Sequence, residues 1–119
     1  MSSPLRVEKL QELIKQEISK MLLKEIKDPR IGFVTVTEVE MASDLHEAKI
    51  FVSIMGTEEN IRETLKGLRS ALGFVRREIG KRIRMRYVPK FSFALDTSLD
   101  YSEHIQKILL DINKNEESE

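Results

Sequence analysis

The chain has 119 residues, 40% of them hydrophobic, which by length is one domain with enough apolar content for a single core. It contains no cysteine, which excludes disulfides and thiolate metal sites, and no run of eighteen apolar residues, which excludes a membrane-spanning helix. Twenty basic residues balance twenty acidic ones overall, but Arg69 to Lys90 carries eight cations and one acid, Glu78, leaving +7 there and −7 in the rest. A neutral chain with one strongly basic segment has a field with a direction, and nucleic acid is the polyanion such a field suits.

From Pro4 to Ile26, apolar residues recur at Val7, Leu10, Ile14, Ile18, Met21 and Leu22, which predicts an amphipathic helix that proline can start. The preceding Met1-Ser2-Ser3-Pro4 leads into charged sequence and not into an apolar signal core, so the expected compartment is the cytoplasm. Lys27-Asp28-Pro29-Arg30-Ile31-Gly32 ends the helix, because the residue before a proline avoids helical geometry. Asp28-Pro29-Arg30 reads first as a helix stop and turn whose acid and base hold the hairpin that follows; a functional role is the alternative.

Phe33 to Met41 is rich in Val and Thr and predicts a strand. Ala42-Ser43-Asp44 supplies turn chemistry, and Lys49 to Met55 predicts a second strand with Ala48, Ile50, Val52 and Ile54 toward one face. Two strands so close in sequence form an antiparallel hairpin by default. Thr57, followed by Glu58, Glu59 and Asn60, marks a new helix start. Ile61, Leu65, Leu68, Leu72, Val75, Ile79 and Ile83 then keep one 3–4 spacing, interrupted by Gly73, where the expectation is two helices joined by a kink. After Pro89, the alternation of Phe91, Phe93 and Leu95 predicts a third strand. Tyr101, Ile105, Ile108, Leu109 and Ile112 predict a final amphipathic helix, and Asn113 to Glu119 an acidic, disordered tail. The order α-β-β-α-α-β-α points to an α+β fold with helices over one face of a three-stranded sheet, a single domain over residues 1–112.

On a helical wheel, Lys66, Ser70, Gly73, Arg77, Lys81 and Arg84 fall opposite the apolar stripe. Cations and small residues therefore share one exposed face, where a polynucleotide backbone can approach closely. Arg76, Arg77, Lys81, Arg82 and Arg84 are the expected phosphate contacts. Lys66, Arg69, Arg86 and Lys90 extend the patch, and Ser70, Ala71 and Gly73 give close approach. The bland alternative is a solvated helix face, but such a face mixes its signs and this one barely does. A membrane surface would call for exposed apolar residues beside the charge, and the stripe has none. With no Trp and most Phe at core-like strand positions, recognition of backbone and shape is expected over base reading.

Catalysis finds little support. His46 and His104 lie far apart with no Cys to join them, so no metal site is expected. Gly67, Gly73 and Gly80 are isolated within helical pattern and make no phosphate loop, so neither a cofactor nor a small-molecule substrate is expected.

Several blocks in order resemble the ribosome-binding factor A family. They are Glu25-Ile26-Lys27-Asp28-Pro29-Arg30-Ile31-Gly32-Phe33-Val34-Thr35-Val36-Thr37, then Asp44-Leu45 with Ala48-Lys49-Ile50-Phe51-Val52-Ser53, then Ala71-Leu72-Gly73-Phe74-Val75-Arg76-Arg77. Gly80-Lys81, Met85-Arg86, Pro89 and Asp96-Thr97-Ser98 continue the similarity, which runs from Arg6 to about Ile112. The resemblance implies a KH-like domain of type II, α-β-β-α-kink-α-β with an additional C-terminal helix, in which an Ala-x-Gly kink (Ala71-Leu72-Gly73 here) stands where ordinary KH domains carry a GxxG loop. It implies a factor for ribosome biogenesis and rRNA processing; with no catalytic cluster in the sequence and nothing that demands an oligomer, a non-enzymatic monomer is expected. Such a factor binds the free small (30S) ribosomal subunit, supports late maturation and 5′-end processing of its 16S rRNA, and matters for cold adaptation. Two positions depart from the common family pattern: Pro89-Lys90-Phe91 stands where many members have Pro-Glu-Leu, and Ser102 where a glycine is common. The alternative reading is a protein-interaction module whose basic face docks an acidic partner.

Overall fold

The computed structural model describes residues 4–97. The helix expected around Tyr101–Ile112, the acidic tail and the domain limit at residue 112 lie outside them.

Helix α1 spans Pro4–Lys24 and buries Ile14, Ile18 and Met21 completely, the middle of the apolar stripe. It stops two residues short of Ile26, where Met21 O accepts from both Glu25 N–H and Ile26 N–H, the second an i→i−5 bond that widens the last turn and ends the helix. Ile26 still packs against the core. Strand β1 (Phe33–Met41) and strand β2 (Glu47–Met55) pair antiparallel, as the hairpin reading requires. The second strand begins two residues earlier than its alternation suggested, because Glu47 has a partner in Lys90 on a third strand.

β1 carries a bulge: Val36 pairs with Val52 and Glu38 with Phe51, leaving Thr37 unpaired in the ladder, its hydroxyl donating to Phe51 O at 3.3 Å. A bulge moves the inward side by one residue. Val36 and Val39, three apart, are therefore both buried, together with Met41, while Glu38 and Glu40 stay in solvent. A regular strand would have turned both glutamates inward.

Helix α2 (Glu58–Ser70) starts on a capping box, with Thr57 Oγ1 accepting from Asn60 N–H and Asn60 Oδ1 from Thr57 N–H. Helix α3 (Leu72–Arg82) follows after the single residue Ala71. The break thus falls at Ala71, not at Gly73, which lies inside α3. Ala71 (φ −87°, ψ −5°) departs only slightly from helix, and its N–H still bonds to Gly67 O and Leu68 O. The apolar stripe therefore continues across the bend: Ile61, Leu65, Leu68, Val75, Ile79 and Ile83 are all buried and Leu72 half-buried.

Strand β3 (Lys90–Leu95) joins β2 in parallel, giving the sheet order β1-β2-β3. Parallel neighbours need a long crossover, and α2 with α3 is that crossover. Ala48, Ile50 and Val52 of β2 face Phe91, Phe93 and Leu95 of β3 in the same core. The result is the expected α+β architecture, with, among the described residues, three helices against one face of an open three-stranded sheet. Of the five phenylalanines, Phe91 and Phe93 are buried and Phe51 and Phe74 half-buried, while Phe33 is 82% exposed.

Candidate nucleic-acid interface

The core stripe of α2 and α3 sets which side chains reach solvent. Lys66, Ser70, Gly73, Arg77 and Lys81 are all exposed on the side away from the core, as the wheel places them. Arg84 is exposed too, but α3 has ended: Ile83 is extended (φ −121°, ψ 126°), so Arg84 belongs to the connection into β3. No side chain among the described residues caps the start of α3.

The cations differ in how they are held. Arg77 and Arg84 make no ion pair or side-chain hydrogen bond among the described residues. Lys66 and Lys81 reach Glu63 and Glu78, each at 3.3 Å, in solvent-exposed pairs of the kind that constrain a side chain little. Arg76 donates to Val88 O at 3.2 Å, tying α3 to the loop before β3 and leaving other guanidinium donors unused among the described residues.

Arg82 is different. It forks onto both oxygens of Glu25 and reaches Glu78 at 3.0 Å and Glu17 at 3.4 Å. Two of these acids lie on α1 or its C-terminal turn, so Arg82 clamps α1 to α3 and not the open face. Glu25 foremost, with Glu78 and Glu17, raises Arg82 further above its ordinary range. Arg82 in turn holds Glu25 below the usual carboxylate range, and Lys81 first, then Arg82, does so for Glu78.

Behind the bend, the Asp28-Pro29-Arg30 turn is locked onto α2. Asp28 accepts from the Arg30 side chain at 2.7 and 3.1 Å and from Arg30 N–H at 2.9 Å, which holds its pKa down to about 2. Arg30 also donates to Ser70 Oγ at 3.0 Å. Thr64, buried in α2, accepts from Gly32 N–H at 3.1 Å and donates to Arg30 O at 3.3 Å. The block thus joins α2 more than it joins the hairpin, and it brings Arg30 to the edge of the stripe. Sequence reasoning omitted Arg30 from the patch, although the motif that holds it was plain.

Two exposed apolar features were also missed. Phe33 and Met55 are cross-strand partners, both largely exposed, at the rim of an open recess of about 770 Å³ that Pro29, Arg30 and Asn60 help to line. Tyr87, inside the basic segment, is 57% exposed, with Arg86 over its ring and the His46 ring beside it. An aromatic off the core spacing and within a basic run is a signal the sequence offered.

No group of three or more His, Asp or Glu side chains able to hold a metal ion occurs among the described residues, and no described helix is long and apolar enough to cross a membrane. Arg69 is half-buried near the end of α2, whereas Lys90 alternates with the buried Phe91 at the start of β3 and so lies on the uncovered face of the sheet, near Glu47, Lys49 and Ser92, and not on the stripe.

Comparison with known proteins places this surface in context. The profile of a family described as Ribosome-binding factor A matches residues 6–109. A ribosome-binding factor A of Natranaerobius thermophilus is 50% identical over 116 residues, covering 98% of this chain and 88% of that protein. The solution structure of a Thermotoga maritima protein described as a ribosome-binding factor A superposes with a TM-score of 0.63 at 34% identity, over 86% of this chain and 97% of that one. A homology model of the Thermus thermophilus factor, fitted into a cryo-electron microscopy map of its complex with 30S, gives a TM-score of 0.55 at 24% identity, over 74% of this chain and 97% of that one.

Proposed function

This chain belongs to the ribosome-binding factor A family, and from that premise we propose that it binds the free small (30S) ribosomal subunit through backbone-directed contacts with 16S rRNA, without catalysis. The observation that carries the mechanism is the exposed stripe along α2, α3 and the start of the connection into β3, where Arg77 and Arg84 stand unpaired among the described residues and Gly73 presents no side chain. Phosphates lie along this stripe on Arg76, Arg77, Lys81 and Arg84, with Lys66, Arg69 and Arg86 around them. Ser70, Ala71 and Gly73 let the RNA backbone approach the helices closely. Arg82 contributes mainly by holding α3 against α1. Support for late maturation of 16S rRNA, including its 5′ end, follows from holding the immature subunit in one conformation and not from cutting it. The factor acts in the cytoplasm as a monomer.

The test is charge reversal. Arg77→Glu/Lys81→Glu, with an unfolding midpoint equal to wild type, is expected to lose at least tenfold in affinity for purified small subunits. Wild-type affinity in that variant would remove the stripe as the contact surface. Competition separates the other class of partner: free 16S rRNA should displace the bound factor from subunits, and an acidic protein at equal charge should not.

A further inference from the structure

A large aromatic ring left half in water at the end of a basic segment has no part in the core. Tyr87 sits in the connection between α3 and β3, past the C-terminal end of α3, and its ring is 57% exposed. The ring of His46, from the β1–β2 loop, lies 5.8 Å away and tilted by 32°. The Arg86 guanidinium carbon stands over the Tyr87 ring, 5.4 Å from its centre. We propose that Tyr87, with His46 and Arg86, is a stacking platform for an unpaired nucleobase of single-stranded RNA, a site separate from the phosphate stripe.

The platform is built before any ligand arrives. His46 N–H donates to Asp44 Oδ1 at 3.0 Å, and His46 O accepts from Lys90 N–H at 2.9 Å, so the β1–β2 loop is fastened to β3. Val88 O is held by Arg76, and Leu45, Met85 and Val88 pack against the core from the same two loops. Leu45 even holds a positive φ of 64° to make its turn. Two loops pinned from beneath present their rings outward, so little ordering cost remains when a base stacks. Aromatic faces and guanidinium planes accept any base, because every base has a π face. Arg86 stands over the Tyr87 ring and Arg84 is exposed three residues before it, so the Tyr87 segment stays positive despite Asp44 beside His46, which suits a base carried on a phosphate backbone better than an apolar side chain of a protein. Stacking is also indifferent to sequence, in keeping with a factor that reads backbone and shape.

This inference rests on the RNA-binding reading above, and its test separates the two. Wild type, Tyr87→Ala and Tyr87→Phe, matched for unfolding midpoint, are titrated with an unstructured oligoribonucleotide and with an A-form RNA duplex of equal phosphate number. In the duplex the bases are already stacked and unavailable. Tyr87→Ala should weaken single-strand binding about tenfold with an unchanged salt slope, leave the duplex unaffected, and be rescued by Tyr87→Phe. Tyr87→Trp, in a chain with no other Trp, should lose fluorescence on adding the single strand and keep it on adding the duplex. Single-strand binding by Tyr87→Ala at wild-type strength, or an equal loss on both RNAs, overturns the platform alone. A wild-type protein that binds neither RNA overturns the RNA-binding reading and the platform together.

Discussion

Two glycines in the crossover helices meet opposite surroundings, and that difference separates packing from function. A Cβ on Gly67 would come within 2.6 Å of Ile31 Cγ1 and 3.4 Å of Asp28 Cγ, because the turn after α1 lies directly on α2 there. A Cβ on Gly73 would meet nothing within 4 Å. Gly67→Ala is therefore expected to destabilise the fold by about 1–3 kcal/mol despite the better helix propensity of Ala. Gly73→Ala should stabilise it by up to about 1 kcal/mol, since no packing opposes the gain. Urea unfolding checks both. If Gly73 serves close approach of RNA, the more stable Gly73→Ala protein should also bind small subunits more weakly, a combination that packing alone does not produce. At the same scale, Arg82 and Arg77 look alike in sequence yet differ in role: one is claimed by three carboxylates, the other is presented to solvent.

Among elements, the decisive contacts join parts that are distant in the chain. Arg82 joins α3 to α1, Arg76 joins α3 to the loop before β3, and Asp28 with Arg30 joins the turn after α1 to α2. The last of these should be visible in acid. Asp28 has a folded pKa of about 2, held there by Arg30, against an ordinary value near 3.8. A depressed carboxylate stabilises the fold above its unfolded pKa, and that contribution is lost as pH falls through the folded value. Asp28→Asn should be less stable than wild type at neutral pH. The gap should begin to narrow near pH 4 and close near pH 2, as read from unfolding midpoints across that range. A gap that stays constant with pH would mean that the Asp28 charge contributes nothing to the lock. The bend at Ala71 belongs to this scale as well. Its N–H stays bonded, so the α2–α3 junction is a rigid corner and not a loop.

For the whole molecule, the +7 segment against −7 elsewhere gives the protein an orienting field, and the fold decides how much of it is available. Five phosphate contacts along the stripe would give a slope of about −4 for log affinity against log salt. With Arg82 held by acids, the expected slope is about −3. Binding to purified small subunits between low and physiological salt measures it, and a complex indifferent to salt would count against phosphate contact as the main source of affinity. Screening weakens the exposed Lys66 and Lys81 pairs over the same range as it weakens their attraction to phosphate, so these internal pairs do not change the sign of the slope.

Much of this protein was legible in its sequence, because periodicity and end signals are local. The 3–4 spacing of Ile61 to Ile83 named the buried face, and therefore the exposed one opposite it. Thr57 with Asn60 marked the start of α2, β-branched content marked the first strand, and alternation marked the second and third. The parallel partner of β2 was not legible, since which strands neighbour each other depends on how the crossover packs. Nor was the bulge read, although the change from Val34 and Val36 to Val39 and Met41 records its shift of phase. Sequence alone determined the elements, the core faces and a one-sided excess of charge. Only the tertiary structure decided which cations that excess leaves unclaimed, where the long helix breaks, and that Tyr87 and His46 meet. Charge and periodicity are properties of residues in order, but an ion pair or a ring contact needs two distant segments to arrive at the same place.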